Sequence, residues 1–324
     1  MLSRVAQNFY WMGRYLERTD HLARYINVQY FSSLDSPDPH LQTLALKSII
    51  DMVGLPEGNK EEPNIENSLV AAALDDSNPV SILSSVYAAR ENARSIREHL
   101  SGELWDAINN FYLFVSEYPV DVYRTKGLYD FTVNVMQHFS NVRGRIRYTL
   151  LKDVGWHFIH MGLSIERAAQ TVRILISKLS DVNEIRNLKL ASPLKNQQWN
   201  TTLDCLEAKD MCRRYYSALP NKNTALNFLL FNSYFPKSVV NNLTSVQNSL
   251  ERIENRLIIS NDSLVHRTGK IITPFNYMDV KEIDDDLNTF LNNTLKSIYD
   301  LSDMIVGHYF GTPEMNQTQS QSQS

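Results

Sequence analysis

The chain is short of the residues that interrupt helices. Its 324 residues include 11 glycines and 11 prolines, so each type makes up about 3 to 4 per cent, below the usual share of about 7 and 5 per cent. Apolar residues in the long stretches between them recur about every 3.6 residues, which marks one face of a helix. The sequence therefore predicts an all-α protein, folded as an elongated bundle of many helices.

Cysteine is scarce, and neither sign of charge is in large excess. Cys205 and Cys212 lie seven residues apart on what the pattern predicts to be one helix, so their Cα atoms should be about 10 Å apart, too far for a disulfide. With 32 basic and 36 acidic residues the formal net charge is -4. That balance excludes a general electrostatic attraction to nucleic acid or to anionic lipid.

The chain also lacks the segments that direct proteins to membranes. It contains no run of about 18 apolar residues, and residues 1–8 lack the basic start and apolar core of a signal peptide. We therefore expect a soluble, cytoplasmic protein that neither spans nor binds a membrane.

The sequence does contain an internal repeat, in which one motif occurs twice. Residues 11–24 and 160–173 match without gaps, and the match predicts an internal duplication in which each copy is a helix carrying Gly-x3-Glu-Arg, near residues 2–30 and 145–179. The residues identical in the two copies are Met12, Gly13, Glu17, Arg18 and Arg24 in the first, and Met161, Gly162, Glu166, Arg167 and Arg173 in the second.

The spacing of the repeated charges suggests pairing between the two copies. Glu17 and Arg24 are seven residues apart, about 10 Å along one helix axis, which is awkward for a direct contact. Two facing helices related by a local twofold axis would satisfy both charges. We therefore expect Glu17 to pair with Arg173 and Glu166 to pair with Arg24.

A third charged cluster lies on a helix predicted to begin at Asn78-Pro79 and to end near residue 100. Arg90 and Arg94 are four residues apart and share a face beside Glu91. Three such clusters indicate an ion-paired layer inside the bundle or lining a groove, with ordinary solvated faces as the alternative. The candidate binding or polar-core residues are Glu17, Arg18, Arg24, Arg90, Glu91, Arg94, Glu166, Arg167 and Arg173.

Signatures of catalysis and metal binding are weak. Glu17, Asp20 and His21 have the spacing of metal ligands on one helix face, but the second copy places Ala169 and Gln170 at the last two positions, so a symmetric di-metal site is missing. There is no glycine-rich phosphate loop, nucleophile elbow or zinc-type cysteine pairing. We expect no metal and no cofactor.

The remaining pattern divides the chain into one helical domain, residues 1–310, and a polar tail, residues 311–324, expected to be disordered. Ser101 is a predicted helix cap. Residues 54–67 are predicted to form a loop, and residues 258–278 a loop or a short extended segment. Other predicted helices cover residues 41–53, 120–142, 145–179, 196–218, 223–231, 236–257 and 280–309.

Several blocks of sequence, in a fixed order, resemble a known family. The resemblance is to the bacterial alpha-E proteins, a family named for its helical structure and a characteristic glutamate, and it extends to about residue 310. Leu163-Ser164 and Ala169 depart from the family pattern. The blocks that carry it are residues 1–18, 76–82, 89–94 with Glu103 and Trp105, residues 155–156, Met161-Gly162, Glu166-Arg167, and residues 235–239.

The resemblance implies a function that composition and spacing alone do not give. Alpha-E proteins accompany an ATP-grasp-type ligase that forms amide bonds, and a transglutaminase-like peptidase, in bacteria. The chain is then expected to be the non-catalytic accessory or binding component of a peptide-forming system, with the ligase and possibly the peptidase as partners. Two alternatives stay open: an enzyme acting on a peptide-like substrate in a groove lined by Glu and Arg, and a purely structural helical scaffold.

Overall fold

A computed structural model describes residues 2–35, 39–53, 65–185, 191–254 and 263–311. Helices dominate this part of the chain, and it contains no β-strand. The α-helices are α1 Ser3–Leu34, α2 Pro39–Val53, α3 Ile65–Leu74, α4 Ile82–Ser95, α5 Gly102–Ser116, α6 Val120–Val122, α7 Leu128–Thr149, α8 Val154–Glu184, α9 Ala191–Cys205, α10 Lys209–Tyr216, α11 Lys222–Leu230, α12 Val239–Glu254, α13 Leu264–Tyr277, α14 Val280–Ile283 and α15 Leu287–Phe310.

The two longest helices, α1 and α8, form the centre of the bundle. They pack against each other, while α2, α4 and α7 cover the rest of α1, and α2, α12 and α15 cover the rest of α8. Because helices surround both of them, α1 and α8 bury residues on most of their circumference, including charged ones. One continuous apolar core extends from Val5 in α1 to Phe310 in α15.

The predicted boundary between α7 and α8 was wrong. The sequence placed the break at residues 143–144, but α7 continues through Gly144 to Thr149, and α8 begins at Val154. The start signal is Asp153, whose carboxylate accepts a hydrogen bond of 3.2 Å from the Trp156 backbone N–H. A carboxylate at this position satisfies one of the free amide groups of the first turn.

Two helix starts near the third charged cluster have different outcomes. The predicted cap at Ser101 is confirmed, since its hydroxyl accepts from the Leu104 amide at 3.2 Å. The predicted start at Asn78-Pro79 was wrong, because Ser81 caps α4 by accepting from the Ser84 amide. Asn78 instead closes the preceding turn with a bond from the Val80 amide.

The sequence predicted a loop or a short extended segment over residues 258–278. Residues 258–262 lie outside the described residues, and for the rest the prediction was wrong, because Leu264–Tyr277 form α13 despite Pro274. The buried residues of α13 lie on one helical face, with successive spacings of one, three, four and three residues, and α13 packs against α12. They are Leu264, Val265, Thr268, Ile272 and Phe275.

The region predicted as one helix over residues 196–218 is two helices, α9 and α10. The break lies at residues 206–208, where Glu207 has a left-handed φ of 53°. Cys205 and Cys212 therefore lie on different helices, and both are buried and free. Residues 54–64 of the predicted loop and residues 312–324 of the predicted tail lie outside the described residues, but 65–67 belong to α3.

Candidate functional site

The centre of the molecule is a close crossing of α1 and α8 at two glycines. A Cβ atom at Gly13 would lie 2.5 Å from the Ile159 carbonyl oxygen, and one at Gly162 would lie 2.1 Å from the Tyr10 carbonyl oxygen. The contacts are reciprocal, because Ile159 and Tyr10 each precede the glycine of their own helix by three residues. Only glycine lets the two backbones come this close.

One turn beyond the glycines, each helix presents a glutamate to an arginine of the other. Glu17 accepts two hydrogen bonds of 2.6 Å from Arg167, through Nε and Nη2. Glu166 accepts bonds of 2.8 and 3.2 Å from the same two nitrogens of Arg18. Bidentate contact between guanidinium and carboxylate is the strongest geometry available to this pair. We call these four residues the Glu-Arg layer.

Each glutamate also contacts a side chain one turn further along its own helix. Gln170 donates to Glu166 at 2.9 Å. At the equivalent place in α1, His21 Nε2 lies 3.2 Å from Glu17 Oε1, but this contact is poorly directed for a hydrogen bond, and both ring nitrogens of His21 are buried without one. His21 therefore adds no directed hydrogen bond to Glu17.

The contacts of Arg14 have no counterpart in α8. This buried arginine donates to Glu166 at 2.6 Å and to the Ser302 hydroxyl at 2.7 Å, and its guanidinium lies 5.3 Å from the centre of the Trp11 ring. The equivalent position in α8 is Leu163, which has no charge. Glu166 therefore faces two arginines, whereas Glu17 faces one arginine and a histidine.

Water is almost excluded from the two carboxylates. Glu17 is 0% exposed and Glu166 is 2% exposed. Burial by itself would raise the pKa of each carboxyl, but the attraction of Arg167 for Glu17, and of Arg14 and Arg18 for Glu166, outweighs burial and lowers both pKa values below the usual range. Both groups are therefore ionised and fully engaged, which leaves neither available as a general base.

The predicted pairs Glu17 with Arg173 and Glu166 with Arg24 were wrong. The glutamates do bond across the two helices, but to Arg167 and Arg18, which lie closer to the crossing. Two crossing helices diverge away from their point of closest approach. Arg24 and Arg173 lie eleven residues past the glycines, about 16 Å along each axis, and they meet other partners.

Arg24 belongs to a second ion-paired group that the sequence did not reveal. It lies 3.0 Å from Asp20 and 3.0 Å from Glu207, and the buried Lys237 also contacts Glu207 at 2.8 Å. Glu207 occupies the left-handed position after α9, where glycine is usual. Its two cationic partners explain why a glutamate is held there, and they lower the pKa of its carboxyl against the effect of burial.

The third cluster, Arg90, Glu91 and Arg94, lies on α4, and its side chains contact others on α4 and α5. Arg90 donates to Asn109 at 2.8 Å, and its guanidinium lies 4.8 Å from the centre of the Tyr112 ring. Glu91 bridges Arg90 and Arg94. The Arg94 side chain is 65% exposed, whereas those of Arg90 and Glu91 are 24% and 26% exposed. Arg94 therefore faces solvent, and the other two are half-buried.

A group of aromatic and basic residues begins α8. The rings of Trp156 and His160 stack at 3.7 Å. Burial, then repulsion by Arg167, His157 and Lys152, lowers the pKa of His160 to about 4. The ring is therefore neutral at pH 7.

Within the described ranges, no group of three or more His, Cys, Asp or Glu side chains is arranged to hold a metal ion. Asp20 and Glu17, the carboxylates of the suspected cluster, contact Arg24 and Arg167 respectively. In the same ranges, no helix combines the length and the apolar composition that crossing a bilayer requires.

The fold and this centre define a class of protein: an all-helical bundle in which two central helices are joined by buried Glu-Arg ion pairs. The sequence places the chain more narrowly. Residues 1–310 match the Alpha-E family, described as "a predicted alpha-helical domain with a conserved ER motif", and the chain belongs to that family. The predicted resemblance is thereby confirmed.

The chain is also similar to uncharacterized proteins of Mycobacterium bovis and Mycobacterium tuberculosis. It is 23% identical to one from each species over 271 residues, which cover 76% of this chain and 29% of each relative. The chain thus spans less than a third of the length of the curated relatives it matches. No solved structure matches it.

Proposed function

We propose that this Alpha-E protein is a non-catalytic accessory protein of a bacterial system that forms peptide or amide bonds, and that it binds an ATP-grasp-type ligase. The observation that carries the non-catalytic part is the state of Glu17 and Glu166. Both carboxylates are buried, ionised and bonded to arginine. Groups in this state organise a fold, whereas acid-base catalysis needs a group that can reach a substrate and exchange protons.

The choice of partner rests on the family resemblance, in which alpha-E proteins accompany such ligases and transglutaminase-like peptidases. The mycobacterial relatives support a modular role, because their matched segment is 29% of a longer chain. On this protein the cluster of Arg90, Glu91 and Arg94, in which Arg94 is exposed and the other two are half-buried, is the surface we assign to the partner. Guanidinium groups with free N–H donors recognise carboxylates in two-bond geometry.

The test is a binding titration of the purified chain against the ATP-grasp-type ligase of the same organism. We expect association. Arg90→Ala and Arg94→Ala should each lower the affinity by up to about tenfold, because losing one charge at an interface costs about 1 kcal/mol. Arg214→Ala, at an exposed arginine of α10, is the matched control and should leave the affinity unchanged.

Two results would refute the proposal. One is the absence of association at concentrations of tens of micromolar, which corresponds to a binding free energy weaker than about 6 kcal/mol. The other is turnover of ATP or of a peptide by the isolated chain, which would favour the alternative of an enzyme working in a Glu/Arg-lined groove.

A purely structural scaffold is the second candidate, and the burial of the Glu-Arg layer favours it. A layer whose carboxylates are buried and whose charges are paired needs no ligand to be stable. Association with the ligase that survives both Arg90→Ala and Arg94→Ala, with no effect on ligase activity, would favour this scaffold.

A further inference from the structure

A cleft of about 330 Å³ lies between α2, α8 and α15, outside the Glu-Arg layer. α2 runs antiparallel to α8 along it, because Arg173 of α8 contacts Met52 and Glu184 of α8 contacts Lys47. The cleft therefore has two distinguishable ends, separated by about three turns of α8.

Arg173 defines the first end. Its Nη2 donates to the Met52 carbonyl oxygen at 2.6 Å, which satisfies one of the free carbonyls at the end of α2. Among the described residues no carboxylate forms an ion pair with its guanidinium. The group lines the cleft and is partly buried, so its remaining donors are positioned for an anionic group in the cleft.

The second end is acidic. Asp181 is 4% exposed, lines the cleft, and accepts a bond of 2.6 Å from the buried Lys178. Burial raises the pKa of the Asp181 carboxyl, Lys178 opposes that shift, and Glu184 and Asp51 add to it. Glu184 also lines this end, and its contact with Lys47 is loose at 3.8 Å.

Hydroxyl groups and apolar side chains line the space between the ends. Ser48 and Ser177 bond to each other at 3.0 Å and both bond to the Tyr25 hydroxyl. Apolar side chains close the walls. They are Leu44, Met52, Ile176 and Leu295.

We propose that this cleft binds a small zwitterion with an apolar middle, whose carboxylate contacts Arg173 and whose ammonium contacts Asp181 and Glu184. This site goes beyond the proposed function and does not depend on it. Three carboxylates line the cleft, Asp51, Asp181 and Glu184, against two cationic groups, Lys47 and Arg173. This excess of negative charge disfavours a phosphate-type dianion, whereas a molecule of both signs matches both ends.

The separation of the ends decides which zwitterions fit. Arg173 and Asp181 are eight residues apart, about 12 Å along the axis of α8. In an α-amino acid the two charges lie on adjacent carbons, too close to reach both ends. The chemical class is therefore an ω-amino acid or a peptide of two or three residues.

Three probes of six carbons separate the possibilities. 6-Aminohexanoate carries both charges far apart, norleucine is its isomer with both charges at one end, and hexanoate lacks the ammonium. We expect isothermal titration with the full chain to detect binding of 6-aminohexanoate. The affinities of norleucine and hexanoate should be at least about tenfold lower, since each of them loses a charged contact.

Variants of the cleft test the assignment of the ends. Arg173→Met should weaken 6-aminohexanoate binding by about tenfold or more, and Glu184→Gln should weaken it by a smaller factor. Arg173→Lys keeps a donor for the Met52 carbonyl, and so protects the fold, but it loses the two-bond geometry and should also bind more weakly. Arg213→Met, at an exposed arginine of α10, is the matched control.

Thermal melting of each variant checks that the fold is retained. The proposal is overturned if 6-aminohexanoate does not bind at about 10 mM, a ceiling set by weak single contacts. It is equally overturned if folded Arg173→Met and Arg173→Lys both bind it like the parent, or if hexanoate binds as tightly, which would make the cleft a simple anion site.

Discussion

At the residue scale, the structural role of the Glu-Arg dipeptide depends on its surroundings. The chain has three such dipeptides, at residues 17–18, 166–167 and 251–252. The first two form the buried layer, whereas Glu251 and Arg252 lie exposed on α12. The same two residues are therefore structural at the crossing of α1 and α8 and part of a solvated surface elsewhere.

This contrast supplies an internally controlled prediction. Glu166→Gln keeps the shape of the side chain but leaves Arg14 and Arg18 without their shared carboxylate. The free energy of unfolding should fall by about 3 to 5 kcal/mol, the cost of stranding a buried charge. Urea denaturation followed by circular dichroism measures the change.

Glu251→Gln makes the same chemical change in an exposed dipeptide, and it should alter the free energy of unfolding by no more than about 0.5 kcal/mol. If the two variants proved equally stable, the buried pairs would have no special stabilising role.

At the scale of the elements, the approach of α1 to α8 determines which charges can meet. Gly13 and Gly162 set the crossing, and the residues four and five positions later face each other as Glu17 with Arg167 and Glu166 with Arg18. Without the close approach, the guanidinium groups would not reach the carboxylates in two-bond geometry.

Adding a single carbon at the crossing tests this. Gly13→Ala and Gly162→Ala each place a Cβ within 2.5 Å of a backbone oxygen, so the helices must move apart. We expect a loss of about 1 to 3 kcal/mol for each variant, the usual cost of overpacking, or more if the ion pairs also break.

Gly144→Ala is the matched control, because a Cβ there meets no atom within 4 Å and Gly144 lies inside α7. Alanine should stabilise that helix by about 0.5 to 1 kcal/mol. Thermal melts of the three variants, side by side, decide the matter, and a destabilised Gly144→Ala with unchanged Gly13→Ala would contradict the packing account.

The elements show what the sequence can and cannot predict. Periodic burial of Val5, Phe9 and Leu16 is a local property, so the existence of α1 followed from spacing. The partner of Glu17 depends on where two helices cross, which spacing along one helix does not contain. The sequence indicated cross-pairing but named the wrong arginines. The sequence also missed α13, which contains Gly269 and Pro274, two residues unfavourable inside a helix, and which packs against α12.

The network around Glu207 and the cleft at Arg173 were beyond sequence reasoning for a related reason. The Glu207 network joins α1 to the turns that follow α9 and precede α12, and the cleft joins α2, α8 and α15. The local sequence pattern does not show which distant segments meet. The common origin of the two motifs stays a prediction, since reciprocal contacts describe their geometry and not their ancestry.

At the scale of the whole molecule, the buried ionisable groups fix how stability depends on pH. Glu17 and Glu166 have folded pKa values below their usual range, so they stabilise the fold above about pH 4.3 and lose that contribution as the pH falls through the folded values. His160, with a folded pKa of about 4, likewise stabilises the fold above its ordinary pKa.

We therefore expect the melting temperature to fall in two stages on acidification. The first stage lies between about pH 6.5 and pH 4, where the unfolded chain binds a proton at His160 more readily than the folded chain. The second begins below about pH 4.3, where the two glutamates become protonated in the unfolded chain. Scanning calorimetry in a series of buffers measures both.

His160→Gln should reduce the slope of the first stage and leave the second unchanged, with His157 and His138, whose pKa values burial also lowers, accounting for what remains. A melting temperature that stays constant from pH 7 to pH 4 would be inconsistent with a neutral, buried imidazole.

The ion pairs between α1 and α8 also constrain the order in which the chain can fold. The bonds of the Glu-Arg layer join residues 148 and 150 positions apart. At a synthesis rate of about 5 to 20 residues per second, the first helix leaves the ribosome roughly 7 to 30 seconds before its counterpart. During that interval Glu17 and Arg18 have no partner from α8, so α1 must keep this face in water. Final burial of the N-terminal helix thus waits for the middle of the chain to be made.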